Sequence, residues 1–145
     1  MESNHIITVT GRQRCGNACD EQQFKVPCTL LQHPEAWYLK YTEIDENNGQ
    51  TRVTLKLTDQ RAVMLRSGAI RARMEFEPRR RTVCDYDTGA GVLPLQIDTR
   101  SVTHNLTEKG GTIRLIYTLY HAGMPLSDNE VEIRLRPVET EYSGG

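Results

Sequence analysis

Apolar and polar residues alternate with a period of two along most of the chain, which is typical of β-strands that bury one face. From this alternation we predict ten strands, at about residues 5–12, 22–33, 36–45, 50–58, 61–67, 69–77, 82–88, 91–99, 112–121 and 129–137. The clearest runs are Val53/Leu55/Leu57, Ile70/Ala72/Met74/Phe76, Leu93/Leu95/Ile97, Ile113/Leu115/Tyr117/Leu119 and Val131/Ile133/Leu135. The polar residues between them predict a solvated second face, and therefore antiparallel pairing.

Turn-forming residues separate many of these strands: Asn47-Asn48-Gly49, Asp59-Gln60, Ser67-Gly68, Gly89-Ala90-Gly91 and Ser127-Asp128-Asn129. No window has a sustained 3.6-residue period, and the stretch most compatible with a short helix is 101–109. Many short strands with tight turns predict a sandwich or a barrel. We favour a barrel because closure removes exposed strand edges. The predicted fold is all-β, a single antiparallel, closed or nearly closed β-barrel.

Length and charge place few limits on function. The 145 residues fit one domain, 1–145, with a tail at about 138–145 that we expect to fray. The formal net charge of −1 gives no overall field that attracts nucleic acid or anionic lipid. No apolar run reaches the roughly 20 residues of a membrane span, and the start of the chain lacks the pattern of a secretory signal. We therefore expect a cytoplasmic protein with reduced cysteines and no membrane partner.

Several short motifs, in order, carry a resemblance to a known family: Tyr38-x-x-Tyr41-x-Glu43, Arg66-x-Gly68, Met74-x-Phe76, Tyr86-x-Thr88-x-x-Gly91, Thr99 and Tyr117-x-Leu119. Together they resemble the YwiB-like family of small bacterial proteins, over about residues 5–137. The resemblance implies a calycin, or lipocalin-like, β-barrel of about eight to ten strands, and it implies no activity or site. The stretch Arg-Cys-Gly-Asn-Ala-Cys at 14–19 departs from the family pattern, and we expect it to form a loop.

Strand direction brings one set of polar residues to the same end of the predicted barrel. If hairpins alternate simply, strands 36–45, 61–67, 82–88 and 112–121 run the same way, and their ends carry Glu43, Arg66, Tyr86 with Thr88, and His121. Glu43 has the parity of Trp37, Leu39 and Tyr41, which predicts an inward direction. The pattern leaves the direction of Arg66 ambiguous, and we predict that it points inward, toward Glu43.

Two interpretations of this end stay open. In the first, Glu43 and Arg66 form a structural polar network with hydrogen bonds from Tyr86, Tyr117 and Thr88, because buried polar groups must be satisfied. In the second, the same groups and Tyr41 hold the polar head of a ligand above an apolar well lined by Trp37, Met74 and Phe76. Arg66 would then bind a carboxylate or a phosphate through two hydrogen bonds.

Other chemistry-bearing residues give weaker signals. Cys15-x-x-x-Cys19 could form a zinc site together with His5 or His33. The sequence contains no clear second ligand pair, however, so we predict no metal and no cofactor. Cys28 and Cys84 lie in strand patterns and are expected to be buried apolar residues. The basic cluster Arg71, Arg73, Arg79, Arg80 and Arg81 is interrupted by acids and lacks stacking aromatics, so nucleic-acid binding is not expected.

The sequence therefore favours a non-enzymatic binding module for a small amphipathic or anionic ligand at one barrel mouth. One alternative is a barrel that contacts protein or RNA through its arginine-rich outer face. Another is an enzyme that uses Glu43 as acid or base and Arg66 as an anion clamp. The sequence indicates no oligomeric state.

Overall fold

The computed structural model describes residues 3–45 and 49–138, which form ten strands. They are β1 (His5–Cys15), β2 (Ala18–His33), β3 (Ala36–Ile44), β4 (Gln50–Thr58), β5 (Arg61–Gly68), β6 (Ala72–Phe76), β7 (Arg81–Asp87), β8 (Val92–His104), β9 (Gly111–His121) and β10 (Met124–Pro137). Each strand pairs antiparallel with the strand that precedes or follows it, except at one junction. Among the described residues there is no helix long and apolar enough to cross a membrane.

The meander closes on itself because its first and last strands pair. β1 and β10 form a ten-residue antiparallel ladder from His5↔Pro137 to Arg14↔Asp128. The remaining junction, between β6 and β7, has a single backbone bridge at Arg71↔Asp87 and a bond from the Thr82 hydroxyl to the Glu75 carbonyl at 2.6 Å. The ten strands therefore form a nearly closed barrel, as the sequence predicted.

β2 bends and changes neighbours part of the way along. Residues 18–28 pair with β1, whereas 29–33 pair with β3. The Asn4 side chain continues the β1 ladder at the bend, because its amide donates to the Leu30 carbonyl and accepts from the Leu30 N–H, both at 2.8 Å. One strand thus joins the two halves of the barrel wall.

The interior of the barrel is packed with apolar side chains. The largest of the inner side chains that are under 2 % exposed are Ile7, Cys28, Leu39, Val53, Leu55, Leu57, Phe76, Ile97, Ile113, Leu115 and Ile133. A water-sized cavity would give the residues that line it accessible surface, so this part of the interior is filled by side chains. A filled interior is common for small barrels.

The sequence predicted the number and order of the strands correctly but misplaced three features. The turn expected at Ser67-Gly68 was wrong, because both residues belong to β5 and pair with β4, and the chain bends at 69–70 instead. The helix expected at 101–109 was wrong, because β8 continues to His104 and pairs with β9 through a β-bulge between Thr99 and Ser101. The turn expected at 127–129 was also wrong, because those residues pair with β9. The turn lies instead at Ala122-Gly123, both with positive φ, as a type I′ hairpin turn requires.

The stretch 14–19 is a tight hairpin rather than an inserted loop. Cys15 pairs with Ala18 across a two-residue turn in which Gly16 has a φ of 60°. Asp59-Gln60 forms a turn as predicted, and the predicted turn Gly89-Ala90-Gly91 is a bend that connects β7 with β8. Part of the turn expected at Asn47-Asn48-Gly49, and most of the tail at 138–145, lie outside the described residues.

Candidate ligand site at the barrel mouth

The odd-numbered strands all end at one rim of the barrel, here called the mouth. Because every strand is antiparallel to its neighbours, β3, β5, β7 and β9 run in the same direction and finish together. Glu43, Arg66 and Tyr86 lie within two residues of the ends of β3, β5 and β7. Hairpin order therefore brings to one place residues that are far apart in sequence.

The register of β4 and β5 turns Arg66 toward the interior. Arg66 pairs with Val53, two residues beyond the pair of Leu55 and Met64, and all four therefore share the inner face. The Arg66 Nη1 donates to Glu43 Oε1 at 2.5 Å. The two side chains are 18 % and 27 % exposed, so the ion pair is largely withdrawn from water but remains open to it.

The guanidinium of Arg66 is only partly satisfied by the groups around it. Its Nη2 contacts the Met64 sulfur at 3.4 Å, a weak acceptor, and its buried Nε has no hydrogen-bond partner among the described residues. Burial acts to lower the pKa of Arg66, but Glu43 and then Tyr41 outweigh it, so the pKa is raised. The cation therefore stays charged, with donor capacity left over.

Three tyrosines surround the ion pair. They are Tyr41 on β3, Tyr86 on β7 and Tyr117 on β9. Each of them acts electrostatically to raise the pKa of Arg66. Burial is the largest cause that raises the pKa of Tyr41, followed by the charge of Glu43. Burial also raises the pKa of Tyr117 to about 12. The phenols of Tyr41 and Tyr117 are therefore neutral and can donate a hydrogen bond to an anion.

The other predicted site residues do not join this cluster. Thr88 is wrongly placed by the sequence argument, because it lies beyond β7 in an exposed turn, where its hydroxyl donates to the Gly91 carbonyl at 3.4 Å. His121, at the end of β9, bonds the Pro94 carbonyl through Nδ1 at 2.9 Å. The cluster at the mouth is therefore Glu43, Arg66 and the three tyrosines.

The apolar well proposed from the sequence is also wrong. Met74 and Phe76 are 5 % and 1 % exposed and belong to the packed core, where the Phe76 ring lies 4.8 Å from that of Tyr117. Trp37 lies near the start of β3, opposite Leu57, and so at the other end of the strand from Glu43. A strand pattern shows which face is buried but not whether that face encloses a space.

Sequence reasoning missed a set of exposed apolar residues around the mouth: Ile44, Val92, Leu93, Met124 and Leu126. They lie at the end of β3 and at the starts of β8 and β10, which meet the same rim. Their exposed fractions run from 39 % to 67 %. The available signal was the apolar residues directly beside the turns, where a solvated strand end is normally polar.

The cysteines and histidines considered for zinc are not assembled. Cys15 and Cys19 are free and exposed at the tip of the β1–β2 hairpin, whereas the His5 ring bonds Asn4 and the Glu108 carbonyl at the other end of β1. Within residues 3–45 and 49–138, no three His, Cys, Asp or Glu side chains are close enough together to hold a metal ion.

The arginine-rich outer surface is largely balanced by acids. Arg73 pairs with Glu75 at 3.2 Å, and Arg80 pairs with Glu77 at 3.2 Å. Arg81 lies 3.4 Å from Asp98 and 4.2 Å from the centre of the Tyr120 ring. These pairs reduce the positive field that a protein or RNA partner would use, so the structure adds no support to that alternative.

Both the sequence and the fold are similar to those of known proteins. The sequence profile of the domain of unknown function DUF1934 matches residues 7–133. The uncharacterised β-barrel protein YwiB of Bacillus subtilis strain 168 is 27 % identical over 108 residues, covering 74 % of this chain and 70 % of YwiB. The crystal structure of the B. subtilis ywiB protein superposes with a TM-score of 0.86 at 18 % identity, over 94 % of this chain and 93 % of that one.

Proposed function

The chain belongs to the DUF1934 family, and we propose that it is a non-enzymatic binding protein for a small amphipathic anion, held at the barrel mouth by Arg66. The observation that carries the proposal is the state of the Arg66 side chain, which is charged, 18 % exposed and incompletely hydrogen-bonded. A largely buried guanidinium with N–H donors left over gains from an added acceptor, because a hydrogen bond to a charged group contributes about 1.5–3 kcal/mol.

A carboxylate matches the groups that remain available. Arginine presents five N–H donors in a planar fork, and Glu43 occupies one nitrogen through one carboxylate oxygen. A ligand carboxylate can accept hydrogen bonds from the remaining N–H groups of Arg66 and from the phenol of Tyr86 or Tyr117. The charge of Glu43 opposes this approach, so the proposal predicts modest affinity and a requirement for the ligand's apolar part.

That apolar part would lie on the rim and not inside the barrel. The packed interior below the ion pair leaves no room for a chain, whereas Leu93, Met124 and Leu126 are 39 %, 67 % and 43 % exposed at the same opening. Burying apolar surface is worth about 25 cal/mol per Å². The ligand orientation is therefore the reverse of the one inferred from the sequence, with the head inward and the tail against the rim.

We make no assignment of a reaction, because the cluster contains no pairing of a nucleophile with a base. The enzyme alternative would use Glu43 as a base, but Glu43 is already bonded to Arg66. We retain a cytoplasmic location as part of the proposal.

The proposal is tested with octanoate and acetate by isothermal titration calorimetry. We expect octanoate to bind more tightly than acetate, and Arg66→Lys to weaken octanoate binding about tenfold, because lysine keeps the charge but loses the fork. Arg73→Lys is the matched control, since Arg73 lies on the outer face of β6 in an exposed ion pair. If octanoate does not bind, or if Arg66→Lys binds it as the wild type does, the ion pair is only a structural closure of the barrel end.

A further inference from the structure

A cleft lies at the opposite end of the barrel from the mouth, between the β4–β5 turn, the β6–β7 turn and β8. Its volume is about 610 Å³. Arginines from three separate elements line it: Arg61 at the start of β5, Arg79 in the β6–β7 turn and Arg100 in β8. Ser101 and Thr103 add hydroxyl groups to the same wall. Cations and neutral donors thus converge on one concave surface.

The backbone at Arg79 is in a conformation that disfavours arginine. The Arg80 N–H donates to the Glu77 carbonyl at 3.2 Å, which closes a four-residue turn with Pro78 second and Arg79 third. Arg79 has a φ of 68°, which the third position of a type II turn requires and which glycine or asparagine normally supplies. A non-glycine residue held in this region is strained, and such strain is often found at functional sites.

Arg100 is also placed by an irregularity of the backbone. It lies in the β-bulge of β8, where the pairing with β9 shifts between Thr99 and Ser101. A bulge changes the direction of the side chains beside it and is common next to functional sites. β7 begins at Arg81, which pairs with Asp98 of β8. Among the described residues, the part of β8 after Asp98 therefore has no strand paired to the edge that faces β7. The cleft lies along this unpaired edge.

The cations of the cleft are not fully neutralised by protein acids. Glu77, which also lines the cleft, is paired with Arg80, and Asp59 is the other acid of the lining. Arg61 is 3.6 Å from Glu75 and 46 % exposed, a loose surface pair. Within residues 3–45 and 49–138, neither Arg79 nor Arg100 forms an ion pair within 4 Å. The charge of Arg100 acts at longer range on Asp128 of β10, which is already bonded to Arg14.

We propose that this cleft binds a small polyphosphate, with Arg79 and Arg100 as its principal contacts. Phosphate oxygens suit the arginine fork, and a ligand with several charges can engage arginines on different elements at once. The proposal explains why a turn position that favours glycine carries an arginine. It is independent of the carboxylate site at the mouth, which lies at the other end of the barrel.

The test measures inorganic pyrophosphate binding at low salt to the wild type and to Arg79→Asn. Asparagine tolerates positive φ but carries no charge, so we expect a melting temperature no lower than that of the wild type and pyrophosphate affinity reduced at least tenfold. Arg136→Asn is the matched control, because Arg136 is exposed on β10 outside the cleft. Arg79→Gly repeats the test with the residue that the turn prefers.

Four outcomes would overturn the proposal. The first is that the wild type does not bind pyrophosphate. The second is that Arg79→Asn and Arg136→Asn reduce pyrophosphate affinity by the same factor. The third is a clear fall in the melting temperatures of both Arg79→Asn and Arg79→Gly, which would make Arg79 a structural residue. The fourth is binding of a single-stranded oligonucleotide that pyrophosphate does not displace, which would indicate a nucleic-acid surface instead.

Discussion

Arg66 and the cysteines show how burial decides the chemistry of single residues in this barrel. Arg66 stays charged at the mouth because Glu43 lies 2.5 Å away, and an arginine without that partner would face a desolvation penalty. Cys28 and Cys84 lie on the inner face, and burial keeps the thiols neutral even at Cys84, where the backbone of Arg73 and the charge of Arg66 act to lower the pKa. Burial raises the pKa of Cys28 to about 12 and is also the largest cause that raises the pKa of Cys84.

This contrast predicts that only two of the four thiols react in the folded protein. Cys15 and Cys19 are exposed, whereas Cys28 and Cys84 are 1 % and 5 % exposed. Because the thiolate is the reactive form, Ellman's reagent at pH 8 should titrate two thiols quickly in native protein and four after denaturation.

A Cys15→Ser/Cys19→Ser double variant is the control, and it should show no fast native reaction. Fast reaction of Cys28 or Cys84 in that variant would mean that the barrel wall opens at β2 or β7 more readily than its packing indicates.

At the scale of elements, alternation predicted strand order well and strand limits less well. The runs around Leu55, Met74 and Ile133 identified their strands because one face of each is buried. The pattern missed the extension of β8 past Thr99 and of β10 back to Met124, because pairing with β9 holds polar residues in strands there. The ends of β8 and β10 are therefore set by contacts between segments that are distant in sequence. The same is true of the filled core around Met74.

The bend of β2 was also not predictable, and the side chain that bonds to it, Asn4, lies outside any strand. Asn4 bonds both backbone groups of Leu30 and also contacts the His5 ring at 2.8 Å. Replacement by alanine would leave the Leu30 N–H and C=O unsatisfied at the junction between the two halves of the wall. The local sequence carries no signal for such a contact, since its partner is 26 residues away.

We predict that Asn4→Ala lowers the free energy of unfolding by about 2–3 kcal/mol, because unpaired buried polar groups cost about 1–3 kcal/mol each. The measurement is urea denaturation followed by circular dichroism. Gln32→Ala, at an exposed position of the same strand β2, should change the free energy by less than about 0.5 kcal/mol. Equal effects of the two variants would show that the bend is held by the packing around Leu30 and not by Asn4.

At the scale of the whole molecule, the barrel joins two groups of strands around one core. β7 to β10 and β1 form one side, β3 to β6 form the other, and β2 belongs to both. Inner residues from both sides, such as Ile133 and Leu55, are 0 % exposed in the same hydrophobic cluster. The ladder between β1 and β10 joins residues more than 100 positions apart in sequence. Such long-range pairing predicts cooperative and comparatively slow folding.

A substitution on one side should therefore be detected by a probe on the other. Ile133, on β10, is fully buried and pairs with Val9, and the chain's single tryptophan, Trp37, lies on β3. We predict that Ile133→Ala destabilises the fold by about 2–4 kcal/mol and shifts the urea midpoints of Trp37 fluorescence and circular dichroism equally. The control is Val83→Ala, since Val83 is 76 % exposed on β7 and its loss should leave both midpoints in place. If the circular dichroism midpoint falls while Trp37 fluorescence keeps the wild-type midpoint, the two sides unfold separately. The shared core would then not be what holds the barrel together.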